Sequence, residues 1–412
     1  MTESRVRPIL LLLSGNLLGA AVGGTFFLVA SWRFSLAEMG RYAVAISVQW
    51  VVFGLVGTGL AIATLRLARD RLAEEDRGGA AGIVANAALT AGGVAALTAA
   101  VAYVVLGPFE ERLAITPEVV TLAVLWAGAR AVLDIMRSGL LAQQDFRRAA
   151  ILTAGSAATG LAALAIALGT GELTVQRLLT AHAVGLFAGA LVGIPLLLPL
   201  GRGGVRRHGM RPLLEYARWP AMSEGTRLLQ GNLGPPILVG LAGATQAGLF
   251  GMGRYPAYLF DVVAVTLYQY WLAKAVQVPD HASMRGYIGR QLQLAGTLGI
   301  AMVASAFVVQ PLLPLLGENF ARAGPLFVLS SVDFALILLV RPMETVFHGL
   351  RRPRLELAQR TMSLPILFLA AWFLAPRWGA VGMAGAHISA SAMSLVVGAL
   401  LLRYALRSEL GR

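Results

Sequence analysis

The chain contains no cysteine, which removes disulfides, thiol nucleophiles and thiolate metal sites together. Lysine is nearly absent too. Of 34 basic residues only Lys274 is not arginine, a skew that codon usage in a GC-rich genome produces without selection for guanidinium chemistry. Charge of either sign is scarce, at 13% of residues, where a soluble protein of this length carries roughly a quarter. The histidines (His182, His208, His281, His348 and His387) have no zinc-like spacing. No paired carboxylates share a loop, and no Ser/His/Asp set has a plausible meeting point. An enzyme is therefore not expected, and neither is a metal or a cofactor.

What is present is hydrocarbon. Hydrophobic residues make up 57% of 412 and the mean hydropathy is +0.71, the composition of a polytopic membrane protein. The net charge of +13 is then read as basic loops facing anionic lipid and cytoplasm, not as a nucleic-acid surface. The apolar run from Ile9 to Phe34 is far longer than the core of a cleavable signal peptide, so it reads as a retained first span.

A membrane-crossing helix needs about 20 mostly apolar residues. Twelve stretches qualify, at 9–31, 42–65, 80–106, 119–141, 149–168, 178–200, 215–241, 246–273, 288–316, 324–350, 360–376 and 379–402. Span seven is interrupted by Pro220, Pro235 and Pro236, which predicts a kinked or broken helix. With both termini cytoplasmic, 22 basic residues lie on the inside against 6 outside, as the positive-inside rule requires. The outer loops are short, whereas membrane glycosyltransferases and polysaccharide polymerases usually carry a long external loop or a soluble domain.

The two halves resemble one another. "IMRSGLLAQQDFRRA" (135–149) against "LVRPMETVFHGLRRP" (339–353) aligns Arg137 with Arg341, and Arg147 and Arg148 with Arg351 and Arg352, at an offset of 204. "LAEMGRYAVA" (36–45) against "ATQAGLFGMG" (244–253) aligns Gly40 with Gly248 at an offset of 208. Six spans per half returns the chain in the same orientation, a parallel repeat around a central cavity. The expected organisation is an all-α integral membrane protein. An N-terminal six-helix lobe covers 1–200, a basic cytoplasmic linker 201–214 and a C-terminal six-helix lobe 215–412.

Eleven charges fall within these spans: Arg130, Asp134, Arg137, Arg218, Glu224, Arg227, Arg254, Asp261, Asp333, Arg341 and Glu344. Each costs about 2.5–3.5 kcal/mol at mid-bilayer on insertion scales, so they are expected to face water or each other. Helical spacing groups them. Arg130, Asp134 and Arg137 form one stripe of span four, and Arg341, Glu344 and His348 one stripe of span ten. Arg254, Tyr258, Asp261 and Tyr268 line span eight, and Glu224 and Arg227 lie one turn apart on span seven. Any single pair reads equally well as a local salt bridge: Arg130 with Asp134, Arg227 with Glu224, Arg341 with Glu344. Four seams together point to a hydrated cavity. Guanidiniums suit phosphate, and Tyr255, Tyr258, Tyr268, Tyr270 and Trp271 offer faces and hydroxyls suited to sugars, or else pack the span and belt the interface.

Several motifs are set aside. Gly15, Gly19 and Gly23 form a double GxxxG of close helix packing, and "GLVGTGLA" (54–61) and "GMAGA" (382–386) lie inside spans with no preceding strand. The run "RLARDRLAEEDR" (66–77) is a solvated elbow, and it lacks the glycines of the major-facilitator signature.

The segments "AEMGRYAVA", "AGLFGMGRYPA", "GLRRPRLEL" and "WGAVGMAGAHISA", spread over twelve spans, resemble the polysaccharide (O-antigen type) flippases of the multidrug/oligosaccharidyl-lipid/polysaccharide exporter superfamily. The resemblance implies a V-shaped, two-lobed helical bundle in the bacterial inner membrane. Such a protein moves an undecaprenyl-pyrophosphate-linked oligosaccharide between leaflets by alternating access, for surface polysaccharide such as lipopolysaccharide O-antigen. It further implies that Arg130, Arg137, Arg227, Arg254 and Arg341 line the substrate cavity. Asp134, Glu224, Tyr258, Asp261, Tyr268, Asp333 and Glu344 would stand beside them. Expected partners are the lipid-linked oligosaccharide and membrane lipids, with polymerases or glycosyltransferases of the same process as candidates, and no nucleic acid. The near-neutral balance of the spans departs from the more cationic lipid II flippases. A drug/cation antiporter of the superfamily is the alternative, although the first span lacks the acidic residue typical of that branch.

Overall fold

A computed structural model describes residues 3–106, 116–200, 210–275, 281–350 and 352–408. The basic linker at 201–209, the loop containing Arg112, and Arg351 lie outside the described residues. Among those described there is helix and turn but no strand.

Helix α1 runs Glu3–Arg33, and Ser35 then opens α2 (Leu36–Val52) with a capping box. The Ser35 amide and hydroxyl both donate to Glu38 Oε2 at 2.8 Å, and the Glu38 amide returns a bond to Ser35 Oγ at 3.3 Å. A π-helical segment, Phe53–Thr58, interrupts the span before α3 (Gly59–Ala73). Helix α4 (Arg77–Leu106) is capped by Asp76, whose carboxylate accepts from the Gly79 amide at 2.9 Å. Helix α5 (Pro117–Ala142) begins with proline at its first position, where the missing N–H costs nothing. Asp145 caps α6 (Phe146–Gly169) and Thr174 caps α7 (Val175–Leu197).

The expected break in span seven is present. Helix α8 (Met210–Asn232) stops before α9 (Gly234–Ala242), which starts on Pro235 and Pro236. Then come α10 (Ala244–Ala275), α11 (His281–Val309) with a 3₁₀ extension Gln310–Leu316, and α12 (Glu318–Gly349). Helix α13 (Pro353–Ser408) folds back at Gly379, whose φ of 54° falls in the left-handed region that suits glycine. Its two arms correspond to expected spans eleven and twelve. Among the described residues eight helices are long and apolar enough to cross a membrane.

Two compact units divide the chain: Met1–Phe34 with Val44–Leu228, and Ser35–Ala43 with Leu229–Arg412. Helix α8, placed by sequence at the start of the second lobe, packs through Leu213, Ala217 and Leu228 with the first unit. Within that unit small residues let backbones approach: Gly128 of α5 sits against Ala95 of α4, and Gly189 of α7 against Ser156 of α6. In the second unit α12 packs against α10, α11 and α13. The most buried of the eight apolar helices are α5, at 56%, and α12, at 67%. Spans four and ten, which carry charge, are thus the most buried of these eight.

The internal repeat has a geometric signature inside the second unit. Helices α2 and α10 begin at Leu36 and Ala244, 208 residues apart. A Cβ on Gly40 would fall on the Ala244 carbonyl oxygen, and a Cβ on Gly248 would fall on the Leu36 carbonyl oxygen. Each contact is the other with 208 added or subtracted, the reciprocity a two-fold relation requires. The turn after the fourth span behaves differently. Helices α6 and α13 begin at Phe146 and Pro353, 207 residues apart, so the arginine-based offset of 204 is three residues out of register there. In the 207 register Arg137 stands opposite Glu344, not Arg341.

Candidate functional site

The first unit carries the α5 stripe. Arg130, Asp134 and Arg137 are each partly buried. The Arg130 guanidinium lies 4.1 Å from the centroid of Trp50 and 5.1 Å from that of Phe53. These rings come from the end of α2 and the first π-helical residue. Among the described residues no carboxylate lies within 4.0 Å of Arg130, so the expected local pair with Asp134 is not formed. On α8, Arg227 chelates Glu224 through Nε at 2.9 Å and Nη2 at 2.6 Å, with side chains 25% and 26% exposed. Below the stripe His182 of α7 is stacked between Phe26 (3.7 Å) and Trp126 (4.1 Å), fastening α1, α5 and α7 together.

The second unit treats its charges differently. Arg254 of α10 donates through Nη1 to Asp333 Oδ2 of α12 at 2.8 Å, with side chains 4% and 1% exposed. Ser391 donates to the other Asp333 oxygen at 2.6 Å. Rings of Phe250, Tyr258 and Phe334 surround the guanidinium at 5.0–5.8 Å, and the Tyr258 hydroxyl donates to Asn232 Oδ1 at 3.1 Å. Lower on α12, Arg341 donates to Glu344 at 2.9 Å, lies 3.9 Å from Asp261 and stands 5.1 Å from the centroid of Tyr268. Glu344 also accepts from Arg360 Nε at 3.0 Å. Arg360 Nη2 continues to Glu356 at 2.5 Å, and Glu356 meets His348 Nε2 at 2.5 Å.

Within the second unit this arrangement corrects the expectation for four charges, which pair with one another and do not face water. Arg254, Asp333, Arg341 and Glu344 are buried and face one another. A buried pair holds helices together only while both partners remain, because one charge alone would be stranded in low dielectric. Arg254 with Asp333 fastens α10 to α12, and the Arg341–Glu344–Arg360–Glu356 ladder fastens α12 to α13. Asp261, Tyr258 and Tyr268 stay partly exposed beside them. Sequence reasoning missed Glu356 and Arg360, although their i, i+4 spacing is an ion-pair signal, because it began the eleventh span at 360. Trp50, Phe53 and Ser391 were missed for lack of any local sign.

No family model matches the chain, and no curated protein matches it by sequence. Solved structures do resemble it. The inward-facing conformation of a multidrug resistance MATE family transporter of the MOP superfamily superimposes with a TM-score of 0.68 at 14% identity, covering 91% of this chain and 96% of that one. The lipid II flippase MurJ in its inward closed conformation gives 0.74 at 12% identity over 97% of this chain and 87% of the other. A mutant of the Vibrio cholerae MATE transporter VcmN gives 0.64 at 16% identity, covering 97% and 94%. At such identities the likeness establishes architecture: the chain has the all-helical transporter fold of the MATE and MurJ proteins.

Proposed function

We propose that the chain is a membrane transporter that carries an anionic, lipid-linked saccharide between leaflets by alternating access. The intended cargo class is an undecaprenyl-pyrophosphate-linked oligosaccharide of the bacterial inner membrane, destined for surface polysaccharide, with both termini cytoplasmic. The observation that carries this reading is Arg130. Among the arginines of the first unit's seam it is stacked on aromatic faces with no carboxylate in ion-pair range. A guanidinium on a largely buried helix, with Asp134 nearby but no carboxylate in ion-pair range, suits the receipt of an anion. Arg137 extends the stripe by two turns, and Arg227, partly exposed although paired, is the third candidate. Arg254 and Arg341 drop out as cargo contacts because their charge is already spent on Asp333 and Glu344.

A second reading is export of a small organic cation. Its support is the second unit's cluster, where Asp261, Glu344 and Glu356 outnumber Arg341 and Arg360. Complementation of a flippase-null strain, with surface glycan as the readout, separates the two. Restored glycan supports the proposal; a drug-resistance phenotype with no glycan supports the alternative.

A further inference from the structure

We infer that Gln49, with Thr58 and Thr64, forms a water-receiving row inside the first unit, shut in the conformation described and opened when span two repacks. This rests on the alternating-access part of the reading above and not on its cargo. Gln49 is 0% exposed, and neither its Nε2 nor its Oε1 meets a hydrogen-bond partner among the described residues. A carboxamide carries two donors and an acceptor, so burying it without a bond keeps the full desolvation penalty. Thr64 is 0% exposed as well, and the hydroxyls of Thr58 and Thr64 are buried with no partner among the described residues. Threonines on other helices do better. Thr90, Thr153, Thr180 and Thr226 each donate to the carbonyl four residues back at 2.7–3.0 Å. Three dry polar side chains on one span call for a partner that arrives from outside. Water, which both donates and accepts, satisfies an amide and a hydroxyl alike.

Span two is also where the helix is irregular. Phe53, one turn after Gln49 on the same face, begins the π-helical segment that ends at Thr58. Single π turns are rare and gather at functional sites. Helix α2 is divided between the two units, Ser35–Ala43 with the second and Val44 onward with the first. A span shared by two bodies that move in alternating access has to repack along its length. Apolar side chains at Gln49, Thr58 and Thr64 would hold the closed packing more firmly, whereas polar ones lower the cost of a wetted one.

The chain has no cysteine, so single cysteines can be read one at a time in the full chain in membranes. The probe is a charged, membrane-impermeant methanethiosulfonate, which modifies thiolates and so reports the thiols that water reaches. Gln49→Cys is modified about tenfold or more faster than Ala45→Cys and Leu140→Cys. Ala45, 1% exposed, lies one turn earlier on the same face, and Leu140→Cys, at a site 0% exposed, leaves a comparable hole. Size-exclusion profiles show which variants are folded. If Gln49→Cys is not, the closely isosteric Thr64→Cys decides in its place, with Ala63→Cys as its reference. Gln49→Met, which removes the dry amide and keeps its length, is at least as heat-resistant as the wild type. Equal rates at Gln49→Cys and its two reference sites overturn the row. So does a Gln49→Met variant that melts earlier than the wild type, because the amide then has a partner inside the protein. A failed glycan complementation leaves the labelling pattern as it is, so the cargo and the row fail separately.

Discussion

Replacing Arg254 with alanine separates two physical pictures of the second unit. In the structure its guanidinium is 4% exposed and Asp333 is 1% exposed. Removing it leaves a buried carboxylate with Ser391 as its remaining donor among the contacts described here. Breaking a buried pair by deleting one partner costs about 3–5 kcal/mol, because the surviving charge keeps its desolvation penalty. That is a shift of about a hundredfold or more in the folded population. The variant should therefore be lost from membranes or lose its monodisperse peak on mild heating, before any question of transport arises. A double variant, Arg254→Met with Asp333→Leu, replaces the pair by apolar volume and should recover most of the stability. The assay is size exclusion of the detergent-purified proteins after a temperature series. If Arg254→Ala is as heat-resistant as the wild type, water already solvates Asp333 and the sealed-pair description is wrong.

Arg130→Gln should behave in the opposite way, losing about 1 kcal/mol or less of stability since it strands no carboxylate, yet losing transport; the same heating series beside a glycan assay checks both halves. Arg360→Gln should destabilise about as much as Arg341→Gln, because Glu344 is held by both arginines, and a thermal comparison of the two variants reads this. Gly40→Ala and Gly248→Ala should each cost more than the 1–3 kcal/mol usual for overpacking, and by similar amounts, since each methyl meets a backbone carbonyl that cannot rotate away. Folded yield on membrane expression is the measure, and tolerance of either substitution would refute the reciprocal crossing.

Much of the architecture is legible in the sequence because a bilayer imposes it. Long apolar runs had to be helices, and Pro235 and Pro236 had to interrupt one. Pairs one turn apart, such as Glu224 with Arg227 and Arg341 with Glu344, follow from helical spacing alone. Arg254 and Asp333 lie 79 residues apart, and nothing local says that α10 and α12 will bring them together. The same limit hid Trp50 from Arg130. The π-helical segment was invisible for another reason: its glycines read equally well as ordinary small-residue packing, and only the rings and helices around them choose the wider turn. The register of the repeat slipped at the fourth turn because arginine pairs are common in cytoplasmic loops, whereas Gly40 and Gly248 are fixed by a steric contact. Charge counting treated every buried arginine as equivalent; the structure makes Arg254 and Arg341 fasteners and leaves Arg130 without a fastening.

The central claim is that an acidic lipid headgroup is received by Arg130, in the first unit, while the second unit's arginines serve the fold. Leaflet-to-leaflet movement of a fluorescent polyprenyl-pyrophosphoryl saccharide in proteoliposomes tests it most directly, with Arg130→Gln beside the wild type. The expected result is translocation by the wild type and near-complete loss in a variant that is fully folded. Equal rates in the two proteins, or no movement by the wild type, would contradict the account.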